Sequence, residues 1–455
     1  MLFLAVTARA QSPVSGDVTI SADYLPNRSR TAELRTRLFA ESTLDPTPGL
    51  RLTLSGFAEG LLARRGVPAL GAPERSTVRD AVFRVQDASL QYKAGRFDLL
   101  AGYTDVVWGR LDELQPTDVV NPLDASRFFF EGRREARLPV GLLRARAFVS
   151  DDVSIEGVYV PFFRRGRFDQ LGEPSSPFNV PSISVASALR RKLPGGDDVE
   201  TSVTPDTLAC LAIGCPTRLP IVIEQDIEQD IDQDIDQDQP SAAIGHAQGG
   251  ARFTATTGRV DWSVSAYRGF EPFGLAAFGP VLPSAAAVPV RVAYPRFTMI
   301  GGDFETVRGD WGVRGEIAAF VDDSFQDPSP RVVGGSSVDA GIGADRKAGA
   351  YRMSGTVLFH RESYDQPIDG ELDRADVSLI LSADRSFSRE RYQMRTFAVY
   401  NATESSAFLR GIAAARFRDN VALEGSVGWF VGEGRNVIGR FSDSDFGYVR
   451  VKYYF

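Results

Sequence analysis

Between Tyr103 and Arg137 the chain sets Trp108, Arg110, Asp112, Asp118, Asn121, Asp124 and Arg127 among turn formers and apolar residues. Guanidinium, carboxylate and amide groups alternating over so short a stretch could hold a polar solute by ion pairs and hydrogen bonds. Trp108 would add an apolar face. The same groups could instead fasten the segment to its surroundings. An ordinary exposed loop would not carry Trp108, Leu111, Leu114, Val119 and Val120, so the segment is expected to fold inward and pack.

Other chemistry-bearing residues are sparse. The chain has two histidines, His246 and His360. His360 is followed by Ser363, and ester hydrolysis by a Ser–His arrangement would need both at one site. Cys210 and Cys215 are the two cysteines, spaced C-x4-C in a stretch rich in Pro, Gly, Ser and Thr. A local disulfide in an oxidising compartment fits that setting better than a metal site, because no second Cys pair or His cluster accompanies them. No catalytic residue, metal site or cofactor is expected.

The elements that must position these residues repeat one pattern. Leu50, Leu52, Leu54, Gly56 and Ala58 alternate with Arg51, Thr53, Ser55, Phe57 and Glu59. Trp311, Val313, Gly315, Ile317, Ala319 and Val321 share one face opposite Arg314 and Glu316. Ala375 to Ala383 and Val421 to Trp429 repeat it, and so does the last segment, where Val449, Val451, Tyr453 and Phe455 oppose Arg450 and Lys452. Period two with one apolar and one charged face marks a strand. About 18 such segments occur, within a range of 16 to 18. Tight turns such as 93–95, 150–152, 258–259, 308–310, 346–349, 384–386 and 418–420 alternate with longer connections near 61–80, 105–137, 164–249, 270–292, 322–335, 361–370 and 433–445.

This predicts an all-β chain: one transmembrane antiparallel up-and-down β-barrel over 11–455, with 104–137 folded into the lumen as a constriction and 164–249 as a long extracellular loop. A soluble sandwich or propeller also alternates, but it would not keep a charged face on nearly every strand or place Trp262, Trp311, Trp429 and Tyr453 near strand ends. Predicted lumen-facing charges include Arg144, Arg146, Arg314, Glu316, Arg374, Arg395 and Arg410. Neighbouring strands offer both signs, which suits paired charges holding the wall or an electrostatic filter.

Mean hydropathy is −0.14 and no run of about 18 apolar residues exists, so no transmembrane helix is expected. The net charge of −8 argues against a general nucleic-acid role. Residues 223–238 repeat Ile-(Glu/Asp)-Gln-Asp and carry as many acids as the net charge, which reads as a solvated insertion. Calcium binding there would lack the usual glycine-containing loop. Residues 1–10, with Ala8 and Ala10 before Gln11, are expected to be the tail of a secretory signal. The closing aromatic Phe455 is expected to serve recognition by the barrel assembly machinery.

The string Trp108-Gly109-Arg110-x-Asp112, then Pro116-Thr117-Asp118-Val119-x-Asn121-Pro122-x-Asp124, resembles a largely uncharacterised family of proteobacterial outer-membrane barrel proteins. The likeness continues through Arg137-Leu138-Pro139 to Ser154–Pro161, covering about 80–165. It implies a Gram-negative outer-membrane location and transport of small or hydrophobic solutes. The partners expected are outer-membrane lipid, the assembly machinery, an unknown solute and, in an oligomer, further copies of the chain. A structural or adhesion role through 164–249 is the rival reading, with a barrel hydrolase built on His360 behind it.

Overall fold

A backbone that crosses a bilayer must pair every N–H and C=O within the protein. In the computed structural model the chain does so by closing one sheet of 18 antiparallel strands. The structure describes residues 14–26, 31–67, 74–112, 114–124, 133–167, 236–278, 290–327, 331–432, 437–441 and 444–455. In chain order the strands are β1 (Ser15–Leu25), β2 (Thr31–Thr47), β3 (Leu50–Val67), β4 (Glu74–Ala94), β5 (Phe97–Thr104) and β6 (Val140–Phe148). There follow β7 (Val153–Val160), β8 (Gln248–Thr257), β9 (Val260–Phe270), β10 (Arg296–Arg308), β11 (Trp311–Asp327) and β12 (Arg331–Ala348). The last six are β13 (Tyr351–Ile368), β14 (Glu371–Phe387), β15 (Tyr392–Asn401), β16 (Ser406–Arg418), β17 (Val421–Val431) and β18 (Phe446–Tyr454).

Each strand pairs with its sequence neighbours, and β1 closes on β18 with Ile20 opposite Val451 and Ala22 opposite Val449. Gly16 and Phe455 exchange both backbone hydrogen bonds at 3.0 Å, which extends the seam to the final residue. A short separate sheet joins 236–238, 275–278 and 290–293.

The alternation in sequence becomes two surfaces. Ile20, Leu38, Ile300, Ile317, Val357, Leu379, Val449 and Val451 point outward and are exposed. A continuous apolar surface of this extent on a closed barrel is the face that hydrocarbon covers. Trp311, Tyr351, Tyr453 and Phe455 stand outward near the rim that holds the termini, and Tyr24, Tyr159, Tyr400 and Trp429 stand near the other. These are the two interfacial girdles. Inward, the buried residues include Ser21, Asp23, Glu33, Arg35, Asp98, Glu156, Asp303 and Glu316.

The turns on the rim with the termini are short. Gly95, Gly258, Gly309 and Gly349 adopt positive φ there, which a two-residue hairpin requires. Three connections expected to be long are instead largely strand. β3 runs to Val67 and β4 starts at Glu74, β11 and β12 reach Asp327 and Arg331, and β13 and β14 meet at Asp369-Gly370. Beyond the hydrocarbon belt both faces of a hairpin meet water, so the apolar–polar alternation stops while the pairing continues. The turn expected at 384–386 lies at Ser388–Arg391, where Ser388, Arg389 and Glu390 all have positive φ. The signal tail 1–10, the acidic repeat before residue 236, Arg127, Cys210 and Cys215 lie outside the described residues.

Placing a guanidinium on the outward face at mid-height should be costly. Ile317→Arg is expected to lower barrel stability by about 2–4 kcal/mol in a reversible denaturant titration in lipid, and Ile317→Leu to leave it unchanged.

Candidate functional site

The segment after β5 turns inward and packs on the wall instead of leaving the barrel. Val106, Trp108, Val119 and Val120 join Val140, Leu142, Val158, Val160, Tyr267, Phe297, Met299 and Ala318 in one apolar cluster. The Trp108 ring meets Tyr267 edge-on at 6.0 Å between centroids, and its Nε1–H donates to Glu156 at 2.8 Å. Trp108 is only 1% exposed, so its ring serves the contact with the wall.

Asn121 pins the segment to itself. Its Oδ1 accepts from the Val106 N–H at 2.8 Å, while its Nδ2 donates to the carbonyls of Leu138 (2.9 Å) and Thr104 (3.3 Å). One amide thereby ties the outgoing and returning limbs. Arg137 grips Asp118 through Nε at 3.1 Å and Nη2 at 2.5 Å, and Asp118 also accepts from the Trp108 N–H at 3.3 Å. A buried pair of this kind is favourable only when the remaining donors are met, and Gln115 Oε1 takes another Arg137 hydrogen bond at 3.2 Å.

The wall holds the segment through Glu316 of β11. Its Oε2 accepts the N–H groups of Arg110 (3.0 Å) and Leu111 (3.2 Å). Its Oε1 accepts the N–H and the hydroxyl of Thr117, both at 2.7 Å. Four hydrogen bonds to one carboxylate satisfy three backbone donors that the barrel sheet cannot reach and one hydroxyl. Gly109 makes this approach feasible. Its φ is +91°, and a Cβ there would lie 2.6 Å from Glu316 Oε1. The Trp-Gly-Arg triplet is therefore one unit: a ring into the wall, a bend over Glu316, and a guanidinium beyond it. That guanidinium reaches Asp303 at 2.6 Å and Glu305 at 3.2 Å. Asp303 is also held by Arg252 at 2.7 Å, and Asp112 takes Arg314 at 2.9 Å. Asp124 sits between Arg84 at 2.8 Å and Arg167 at 3.1 Å.

Of the residues expected in the constriction, the structure thus brings Trp108, Arg110, Asp112, Asp118, Asn121 and Asp124 into one anchored body. Trp108, Asp118 and Asn121 are buried within it. Arg144 and Arg146 both face Glu156, at 3.8 and 2.5 Å, and Arg144 also reaches Asp98 at 3.2 Å. On the far wall, Arg374 pairs with Asp376 and Glu404, Arg395 with Asp384 at 3.5 Å, and Arg410 with the Tyr448 hydroxyl at 2.7 Å. His360 lies between Asp339 (2.6 Å) and Glu362 (3.0 Å). Ser363 is an odd step along β13 and faces the opposite side of the wall, so the two are not brought together.

Sequence reasoning overlooked Thr117, Asp303, Arg84, Arg164 and Arg167 as site residues. Asp303 and Arg84 were detectable as charges on the inward face of alternating strands, opposite the outward Ile300 and Phe83. Arg164 and Arg167 follow β7 in an irregular stretch with no periodicity to mark their direction.

A closed, even-stranded antiparallel barrel with a lipid-type belt, two aromatic girdles and a charged interior is a Gram-negative outer-membrane β-barrel protein, porin-like in build. Residues 80–365 match the family described as "Protein of unknown function (DUF1302)", and the chain belongs to that family. No curated protein matches it. Among solved structures, Pseudomonas aeruginosa OccK7 (OpdD) is similar at 9% identity and a TM-score of 0.47, with 98% of this chain and 99% of that chain covered. Pseudomonas aeruginosa OccK5 (OpdH) is similar at 8% identity, 97% of each chain and a TM-score of 0.47. Acinetobacter baumannii OccAB4 is similar at 12% identity, 98% and 99% coverage and a TM-score of 0.43.

Glu316→Ala removes the acceptor for three backbone donors at once. Hydrogen exchange at Arg110, Leu111 and Thr117 should then quicken roughly 100-fold, equivalent to about 3 kcal/mol of lost docking, while Glu316→Gln gives a smaller change. Unchanged exchange in Glu316→Ala would show that the clamp is not what holds the segment.

Proposed function

We propose that the protein is an outer-membrane channel that passes small or hydrophobic solutes through a barrel narrowed by the inserted segment. The observation that carries this is the one-sided seating of that segment. Among the described residues, the contacts of 105–124 with the wall fall on β4 through β12. The facing wall carries inward charges of its own: Arg374, Asp376, Arg410, Glu424, Arg450 and Lys452. A barrel of 16 to 18 strands is too wide for wall side chains to fill, so a plug fastened along one flank leaves room for a polar path beside it. Ion pairs among the wall charges keep them from collapsing across that space. Insertion by the barrel assembly machinery belongs to the same reading.

Purified full-length protein in planar bilayers is expected to give ohmic openings, and in liposomes to admit small solutes. Excising 110–116 should raise single-channel conductance severalfold. Absence of both conductance and solute uptake, with the segment intact or excised, overturns the proposal.

A further inference from the structure

The inner wall of β2–β4 carries a pocket in which the anchor engages Arg84, Asp124, Arg137 and Arg167 and, among the described residues, leaves Arg37 and Arg164 without a carboxylate. Arg37, Phe57 and Arg84 face this pocket, which lies between that wall, the returning edge 135–139 of the inserted segment, and Arg164 and Arg167 beyond β7. Five arginines line it against three carboxylates, Glu59, Asp124 and Glu135. Two of the carboxylates are already paired. Glu59 is engaged by Arg35 outside the pocket, and Asp124 is shared by the pocket's own Arg84 and Arg167. Arg137 is taken by Asp118. Among the described residues, Arg37 and Arg164 have no carboxylate at ion-pair distance.

Both are nevertheless held in place. The Arg37 guanidinium lies over the Phe57 ring at 4.0 Å, with Arg84 at 5.9 Å from the same ring. Arg164 lies over Tyr103 at 5.4 Å and donates to the Pro139 carbonyl. Stacking uses the flat face of a guanidinium and leaves its N–H edge for an acceptor in the plane. Burial pulls the Arg164 pKa below its ordinary value, and the nearby charge of Arg84 adds to this against the opposing pull of Tyr103 and Asp124. An anion brought to the pocket would relieve that repulsion.

We propose that this pocket binds the oxyanion head group, carboxylate or phosphate, of a small solute, with Arg37 and Arg164 as its donors and Phe57 and Pro139 as an apolar flank. The shape of the fork fits either head group, since both present two coplanar oxygens to paired N–H donors. The proposal rests on the channel reading for the solute's route of access, so binding and conduction are measured separately.

Titration calorimetry of the full-length protein in detergent at low salt, with sodium benzoate, sodium acetate, inorganic phosphate and neutral benzamide, tests it. Benzoate, acetate or phosphate should bind and benzamide should not. Benzoate tightest assigns an organic carboxylate with an apolar body, and phosphate tightest assigns a phosphate head group. Arg164→Gln, in a connection outside the strands, should weaken binding about tenfold, and Arg37→Gln likewise. Arg37→Lys should recover part of it, and the heat-modifiable gel shift verifies that each variant is folded. No binding of any anion by a protein that conducts in bilayers overturns the pocket and leaves the channel standing, as does equal binding of benzamide and benzoate. Anion binding by a protein that never conducts keeps the pocket and overturns the channel.

Discussion

Hydrocarbon accepts no unpaired peptide group, and this one constraint organises the whole chain. It compels the sheet to close, and the closing pair is β1 with β18, tied as far as the mutual bonds of Gly16 and Phe455. Closure with 18 strands then creates a second problem, an interior wider than wall side chains can fill. The charged inner faces and the inserted segment are the two answers the molecule gives to that width.

The segment's own peptide groups face the same requirement away from the sheet. Asn121 meets three of them locally, and Glu316 meets three more from the wall. Both residues act as substitutes for strand partners. Glu316 is tolerable at that depth because four donors converge on it, and Gly109 makes room for it. Along the wall the same rule operates between side chains. Arg144, Arg146 and Glu156, or Arg110, Arg252 and Asp303, form small networks in which one carboxylate serves two arginines. On the opposite side of the barrel a second apolar group, Leu25, Phe408, Phe430, Ile438, Phe441 and Phe446, packs near the mouth away from the termini, with Phe408 and Phe430 at 4.5 Å.

The fold was largely legible because the bilayer imposes period two with fixed polarity. Residues such as Val449, Val451 and Tyr453 against Arg450 and Lys452 could be oriented without coordinates, and so could Ile317 against Glu316. Legibility ended where lipid ended. The extensions of β3, β11 and β13 beyond the belt have no polarity to alternate, so their residues resembled loops. The site was legible as a stretch, from Trp108 to Asp124, but the direction of each side chain was not. Trp108 could have faced a solute or the wall. Only the positions of Tyr267 and Glu156, far along the chain, decide for the wall.

By itself the sequence determined the class of architecture, the face of each strand within the belt, and the presence of an inward-folded segment, since all three follow from local periodicity and composition. The tertiary structure decided which charges are partners. Glu316 and Thr117 are 199 positions apart, as Arg110 and Asp303 are 193 apart, and no local spacing encodes such meetings. It also decided which arginines are left over. Arg37 and Arg164 become neighbours only because barrel curvature brings β2 and the stretch after β7 to the same pocket, while Glu59 and Asp124 there are taken by Arg35, Arg84 and Arg167.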